Sequence, residues 1–491
     1  MLKDFSSMNK KYLRFWVVAS IILELLFLIG MKNTGSKMMI VAGVLYIPVI
    51  LLILTIMVID WHYAIYALAF SMPIIPVNGY IFNRLGLLDY QWVIYLLFYL
   101  VFIYSIIKTR AYKVLKINKK LNFYSITIIL LIILSVINTI TAYNKLVSFT
   151  ILSLSIIPAV AYFCFLYFLD IEGKKKLIDN VILFICIGVA ISSIPDFITF
   201  LVLWSMNLKT ARIYGPLGSN FILAYSLLIY PIIIVNAKIK QGLEGKIYKI
   251  LLLLSVISLS SQFSRGIYVA VLVMFMILFM DIKHLKSYLP VFVIVMIFLS
   301  INVFQRPEIS KNPNLNLTSD KNISAEVKKE KKLESESKYI SSQSDNRKPI
   351  WNGAIKMFKD YPLTGVGTGN FKFFYQYYSK SERHYSDAHN FLLNHLAESG
   401  VIFSSLLMLL ILSIIFQCLI SLFRNWNNHE ARSKNVKILA GIISYLAFGN
   451  ITGAAFQSIN EIYSFTPMFI FCFFIFYFMY SEYTEPKLKE K

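Results

Sequence analysis

The stretch FSSLLMLLILSIIFQCLISL, Phe403 to Leu422, contains no Asp, Glu, Lys or Arg and is apolar on almost every face of a helix. At about 1.5 Å of rise per residue, a helix of this length reaches roughly 30 Å, the thickness of a bilayer's hydrocarbon core. Similar runs recur from Phe15 to Gly30, Met38 to Ile59, Ile126 to Val136 with its flanks, and Val291 to Phe304, and 57% of the 491 residues are hydrophobic. Counting such runs predicts an all-α polytopic membrane protein of about 14 transmembrane helices (12–14), centred roughly on residues 22, 48, 71, 98, 132, 158, 192, 228, 255, 273, 296, 411, 446 and 470. The first run leads on to others and lacks a small-residue cleavage pattern, so it reads as a span rather than a cleaved leader.

A formal charge of +22 suits nucleic-acid binding in a soluble chain, but in a membrane chain the question is which side holds the cations. Alternate loops contain Lys108, Arg110, Lys113, Lys116, Lys119 and Lys120; Lys174 to Lys176; Lys238, Lys240, Lys246 and Lys249; Lys283 and Lys286; and Arg424, Arg432, Lys434 and Lys437. Positive charge marks cytoplasmic loops, which predicts both termini inside and no role for nucleic acid. The four cysteines, Cys164, Cys186, Cys418 and Cys472, fall within apolar runs and indicate neither a disulfide framework nor a metal site.

One outer segment is too long to be a simple turn. The expected organisation is a first transmembrane part over 1–304 with about 11 spans, a flexible charged extracytoplasmic insertion over 305–346, and an ordered extracytoplasmic loop over 347–399. The last three spans follow over 400–480, then a cytoplasmic tail over 481–491. Within the loop, Ile350, Trp351, Ala354, Ile355 and Phe358 recur at helical spacing, and Arg347 shares a face with Trp351, Ala354 and Phe358. Asp345 or Asn346 can cap this helix and Pro362 stops it, which predicts a short amphipathic helix on the outer membrane surface.

The same topology puts Arg212, Arg265, Arg347 and His389 in one compartment. Arg265 lies between two apolar runs too short for comfortable spans, so its charge is expected below the outer surface. Snorkelling to headgroups is the ordinary explanation of such a charge; several guanidinium groups beside a bilayer also suit a diphosphate, which they bind bidentately. His389 either caps the helix that follows or acts as a general base, with Asn390 orienting it or binding a sugar hydroxyl. His389 and His395 fall on different helix faces without a third ligand at metal spacing, so no metal and no cofactor are expected. GVGTG, Gly365 to Gly369, has no strand before it and no lysine at P-loop spacing, and reads as turn-forming backbone. Glu24 and Asp196 are further costly charges inside apolar runs.

Together, RIYGPLGSN from Arg212 to Asn220, SRG from Ser264 to Gly266, RKPIWNGAIKMFKDYPLTGVGTGNF from Arg347 and HNFLLNHLAESG from His389 resemble the O-antigen ligase and polymerase superfamily of membrane glycosyltransferases. The resemblance implies a metal-independent enzyme of the cytoplasmic membrane, active on its outer face, whose donor is a glycan on undecaprenyl diphosphate. It implies catalytic roles for His389 as base and for Arg265 and Arg347 on the leaving diphosphate, with Arg212, Asn390 and Trp351 binding substrate. The surrounding phospholipid bilayer is its setting, and flippase and chain-length regulator proteins are its expected partners. Heavy use of Lys, Ile and Asn favours polymerisation of lipid-linked repeat units into a capsule, a teichuronic acid or an O-antigen. The alternatives are ligation of the glycan to another acceptor, a lipid-linked oligosaccharide flippase, or a scaffold; a flippase is expected to spread polar groups along a midplane path, whereas here they gather on one side.

Overall fold

The structure, a computed structural model, describes residues 50–84, 91–116, 122–194, 219–260, 265–304, 347–379, 387–452 and 465–483. The aliphatic runs form helices, and the ladder of backbone bonds satisfies the polar groups that such surroundings cannot. In chain order they are α1 (Ile50–Ile59), α2 (Trp61–Arg84), α3 (Gln91–Lys108), α4 (Phe123–Thr141), α5 (Lys145–Phe168), α6 (Lys174–Ser192), α7 (Ser219–Ile239), α8 (Gly242–Ser260), α9 (Arg265–Leu278), α10 (Leu285–Phe304), α11 (Lys348–Asp360), α12 (Phe371–Ser379), α13 (Phe391–Arg424), α14 (His429–Thr452) and α15 (Phe465–Tyr483). Asn122 and Asn144 cap α4 and α5 by accepting the N–H of Ser125 at 2.8 Å and of Val147 at 3.2 Å. Inside α5 the backbone widens to a π turn over Leu152–Ile156, which makes room for Pro158, a residue with no N–H to give the ladder.

The expectation of about 14 spans is corrected. Among the described residues, 4 segments are long and apolar enough to cross a membrane: Phe123–Thr141, Lys145–Phe168, Ile282–Ser300 and Phe391–Arg424. Five further apolar segments are shorter: Ile50–Ile59, Tyr95–Lys108, Ser226–Ile239, Gly266–Leu278 and Met468–Tyr480. Two physical reasons account for the excess. A run apolar on all faces fits a helix enclosed by protein as well as one enclosed by lipid: Leu227 to Val235 in α7, Ile178 to Ala190 in α6 and Phe469 to Met479 in α15 supply core residues rather than an exposed apolar surface. Others, such as α14 with Glu430, Arg432, Lys434 and Lys437 in its first turns, carry too much charge. The run centred on residue 22, with Glu24, and Asp196 lie outside the described residues. What stands is a multi-span, membrane-associated helical protein.

The basic turns meet at one end of the bundle. Leu115 pairs with Leu169 in an isolated antiparallel bridge, Lys116 forms an ion pair with Asp170, and Lys240 reaches Asp179 at 3.6 Å. Buried Asp281 accepts from Ser433 Oγ at 2.7 Å, which ties the α9–α10 turn to the start of α14. At the opposite end, where α4 finishes and α13 begins, residues 347–379 and 387–399 form a small fold with its own apolar core. Ile350, Ala354, Met357, Val366, Phe371, Tyr375, Ala388 and Ala397 make up that core. The amphipathic helix expected after residue 346 is present as α11, but its buried face is Ile350, Gly353, Ala354 and Met357, with Trp351 and Phe358 only half-buried. That face packs against α12 and α13, so the helix is part of a protein core and does not merely rest on a surface. Its proposed caps, Asp345 and Asn346, lie outside the described residues.

Candidate functional site

A break in α13 organises the site. Gly400 has φ 73° and ψ −178°, outside the helical region, so Phe391–Ser399 is a short helix and Val401–Arg424 a separate, longer one. A Cβ on Gly400 would lie 2.2 Å from the carbonyl oxygen of Leu363, which excludes every other residue type. Breaking a helix frees carbonyls and amides, and the 362–370 loop satisfies them. Ala397 and Glu398 accept from the N–H groups of Val366 and Gly367, each at 2.9 Å, and Val401 donates to the carbonyl of Pro362 at 2.8 Å. GVGTG is therefore the plug of a helix break, consistent with its reading as turn-forming backbone.

Asn138, near the end of α4, fastens this plug to the bundle. Its Nδ2 donates to the carbonyls of Thr364 at 2.6 Å and Glu398 at 2.9 Å, while its Oδ1 accepts from Thr368 N–H at 2.8 Å and Thr368 Oγ1 at 2.6 Å. Asn370 adds a second fastening, accepting from Asn144 N–H at 2.8 Å and donating to Ser148 Oγ at 3.0 Å. The partners that fasten Asn138 and Asn370 across the break lie more than 200 residues away, so the sequence does not show these contacts.

His389 stands on this base with φ 49°, a left-handed conformation unusual for a residue with a side chain. Asp387 holds it there. One carboxylate oxygen accepts both the His389 backbone N–H at 2.6 Å and Nδ1 at 2.7 Å. Asp387 is buried and the imidazole is partly exposed, at 5% and 35% of side-chain surface. A carboxylate can only accept, so Nδ1 carries the hydrogen and Nε2 is the basic nitrogen. The Asp-x-His spacing is visible in the sequence and recurs at Asp60 and His62, where the same two contacts form at 3.0 Å; burial of Asp387 and the left-handed turn at His389 set the second pair apart.

Asn390 caps the short helix, accepting from Leu393 N–H at 3.0 Å and donating to the carbonyl of Asn450 at 3.4 Å. Binding a sugar would compete with those bonds. Arg347 is the residue before α11, half-buried, and the core beneath that helix includes Ala388, the neighbour of His389. Trp351 is half-buried, with an indole N–H that is shielded and has no hydrogen-bond acceptor among the described residues. Arg265 begins α9, the helix end away from Asp281, and its side chain lies outside the described residues, as does all of Arg212. Among the described residues no three His, Cys, Asp or Glu side chains cluster as metal ligands.

Below the break, α4, α5, α13 and α15 line a partly open apolar slot of about 180 Å³. Ile128, Phe163, Leu407 and Phe471 are among its walls, Ser135 and His395 line it near the break, and the far end reaches Ser125 and Met479. The His395 ring is held edge-on to Phe391 with centroids 4.7 Å apart.

Residues 250–408 match the O-antigen ligase family. The match runs from α8 through α9 and α10 to the first turns of α13 beyond Gly400, so it includes Arg265, Arg347, Trp351, the plug loop, Asp387 and His389. Arg212, α4 and its Asn138 lie before the O-antigen ligase match. The superfamily covers both ligases and polymerases, so the match supports a membrane enzyme that handles glycans without specifying one reaction. No curated protein matches the chain.

Proposed function

We propose that this protein transfers a glycan from a polyprenyl-diphosphate carrier to the hydroxyl of a separate acceptor, at the outer face of the cytoplasmic membrane. The observation that carries the reading is the Asp387–His389 pair within the region matched to O-antigen ligases. His389 Nε2 takes the proton of the acceptor hydroxyl, and that oxygen forms the new bond to the anomeric carbon. The bond from the anomeric carbon to the phosphate oxygen breaks, and its electron pair leaves with the diphosphate. Asp387 balances the imidazolium formed at His389. Arg265 and Arg347, with Arg212, are the cations for the departing charge, and the half-buried Trp351 offers an apolar ring face to the sugar. The apolar slot below the break suits one hydrocarbon chain of the carrier. The outward orientation rests on the basic turns gathering at the end away from His389, which the positive-inside rule assigns to the cytoplasm.

Polymerisation, in which the acceptor is a second lipid-linked repeat unit, is the reading favoured by the Lys-, Ile- and Asn-rich composition alone. Purified protein in lipid, given a polyprenyl-diphosphate oligosaccharide with and without a separate glycolipid acceptor, tests both. A product that needs the separate acceptor and disappears in His389→Ala is expected. Chain growth from donor alone assigns polymerisation, and wild-type turnover by folded His389→Ala removes the base from the mechanism.

A further inference from the structure

Two residues of the short helix before Gly400 have no part in the chemistry above. Asn394 Oδ1 accepts the N–H of Ala388 at 2.7 Å, and Ala388 is the residue between Asp387 and His389. One turn further on, buried Glu398 uses Oε1 to accept the N–H of Phe371, the first residue of α12, at 3.0 Å. Asn394 Nδ2 and Glu398 Oε2 are then both buried with no other hydrogen-bond partner; burial pushes the Glu398 carboxyl up to about 8, and contact with the Asn394 amide favours its ionised form. One is a donor and the other an acceptor, and they stand at i and i+4 on one helix, the spacing at which side chains meet. An amide has two orientations that fit the same space. With the other orientation, Asn394 would set NH₂ against the Ala388 N–H and oxygen against the carboxylate, so both contacts would be repulsive.

We propose that Glu398 is a positioning residue for His389: its carboxylate selects the Asn394 amide orientation that receives the Ala388 N–H, and so fixes the left-handed turn that presents the imidazole. The consequence for rate rests on the role given to His389 above; the consequence for the turn does not. Glu398→Gln keeps an oxygen for Phe371 but turns an NH₂ toward the Asn394 NH₂. Asn394→Asp with Glu398→Gln restores acceptors toward both Ala388 N–H and the new amide, and conserves net charge where Glu398 is ionised.

The test uses full-length protein in lipid, at a pH above the raised pKa of Glu398, with two readouts. Hydrogen exchange of the backbone amide of Ala388 is expected to quicken about tenfold or more in Glu398→Gln and to return toward wild type in the double variant. Transfer is expected to lose kcat by a similar factor, with the KM for lipid-linked donor unchanged, and to recover in the double variant. Unchanged exchange in Glu398→Gln, or a double variant no better protected than the single, overturns the proposal. Loss of the folded state in Glu398→Gln that persists in the double variant overturns it as well, and assigns Glu398 to stability alone. His389→Ala, measured in parallel, separates the two ideas: wild-type turnover there removes the base but leaves the exchange result standing. Inactive His389→Ala beside fully active Glu398→Gln removes only the positioning role.

Discussion

Replacing Asp387 with Asn removes one charge from the site and almost no volume. In the native protein a single buried carboxylate oxygen receives two bonds from His389, at 2.6 and 2.7 Å. An Asn carbonyl can receive both, so the left-handed turn and the Nδ1–H tautomer are expected to persist. What is lost is the negative charge facing the imidazolium that forms as the acceptor hydroxyl gives up its proton. A hydrogen bond to a charged group contributes about 1.5–3 kcal/mol, and each ~1.4 kcal/mol changes a rate tenfold, so kcat should fall by roughly 10- to 150-fold. The contact with Asp387 gains most strength when the ring is charged, so the KM for lipid-linked donor should hardly change. The assay is initial-rate glycan transfer by reconstituted protein over a range of donor concentrations, with melting temperature as a check on folding. A kcat within twofold of wild type in a folded Asp387→Asn variant would refute the assignment of His389 as a base supported by Asp387. A raised KM at unchanged kcat would instead place the pair in substrate binding.

Gly400→Ala should be among the most damaging single changes, because its Cβ meets the Leu363 carbonyl at 2.2 Å and its backbone lies where only glycine is at ease. A cost of several kcal/mol is expected, read as a fall of several degrees in the thermal midpoint in detergent or as loss of folded protein. Ser135→Phe, on the wall of the apolar slot, should displace about two methylenes of a bound chain at ~0.8 kcal/mol each, raising the KM for lipid-linked donor about tenfold. Photo-crosslinking of a polyprenyl probe checks it directly, and unchanged labelling would remove the slot from donor binding.

Helix was legible wherever the chain is aliphatic, because a helix satisfies its own backbone in such surroundings and the runs lack the alternation of barrel strands. Span number was not, because Leu227 to Val235 reads the same whether lipid or protein surrounds it, and only the packing of α7 against α14 decides. In the loop, the spacing of Ile350 and Ala354 and the stop at Pro362 located α11, yet the choice between Met357 and Phe358 as its inward residue depended on α12 and α13 arriving from elsewhere. His389 was legible as an oddly polar residue at the threshold of an apolar run. Its partner Asp387 was not singled out, since Asp60 and His62 have the same spacing and the same two contacts at the exposed start of α2, and only the burial of Asp387 and the positive φ at His389 set the second pair apart. Asn138 illustrates the limit: an Asn within an apolar run is a costly polar group, but its four contacts are all with residues 364–398.

The break at Gly400 explains why site and span belong to one helix. Unbroken, the 34 residues of α13 would extend about 51 Å, well beyond a hydrocarbon core of about 30 Å. Divided, the part from Val401 to Arg424 keeps the length of a span, while Phe391–Ser399 turns into the small core at the bundle's end and carries Asn390, Asn394, His395 and Glu398 with it. His395 therefore lines the apolar slot while sitting only about 7.5 Å of helix rise from the Asn390 cap beside His389. A chain held in that slot would present its head group at the level of the imidazole, and the depth is set by helix geometry rather than by a mobile loop. Asn138 ties the same break to α4, the opposite wall of the slot. Loosening the plug should therefore disturb chain binding and proton transfer together, whereas Asp387→Asn should disturb proton transfer alone. That difference in kinetic signature separates a fault in the scaffold from a fault in the chemistry.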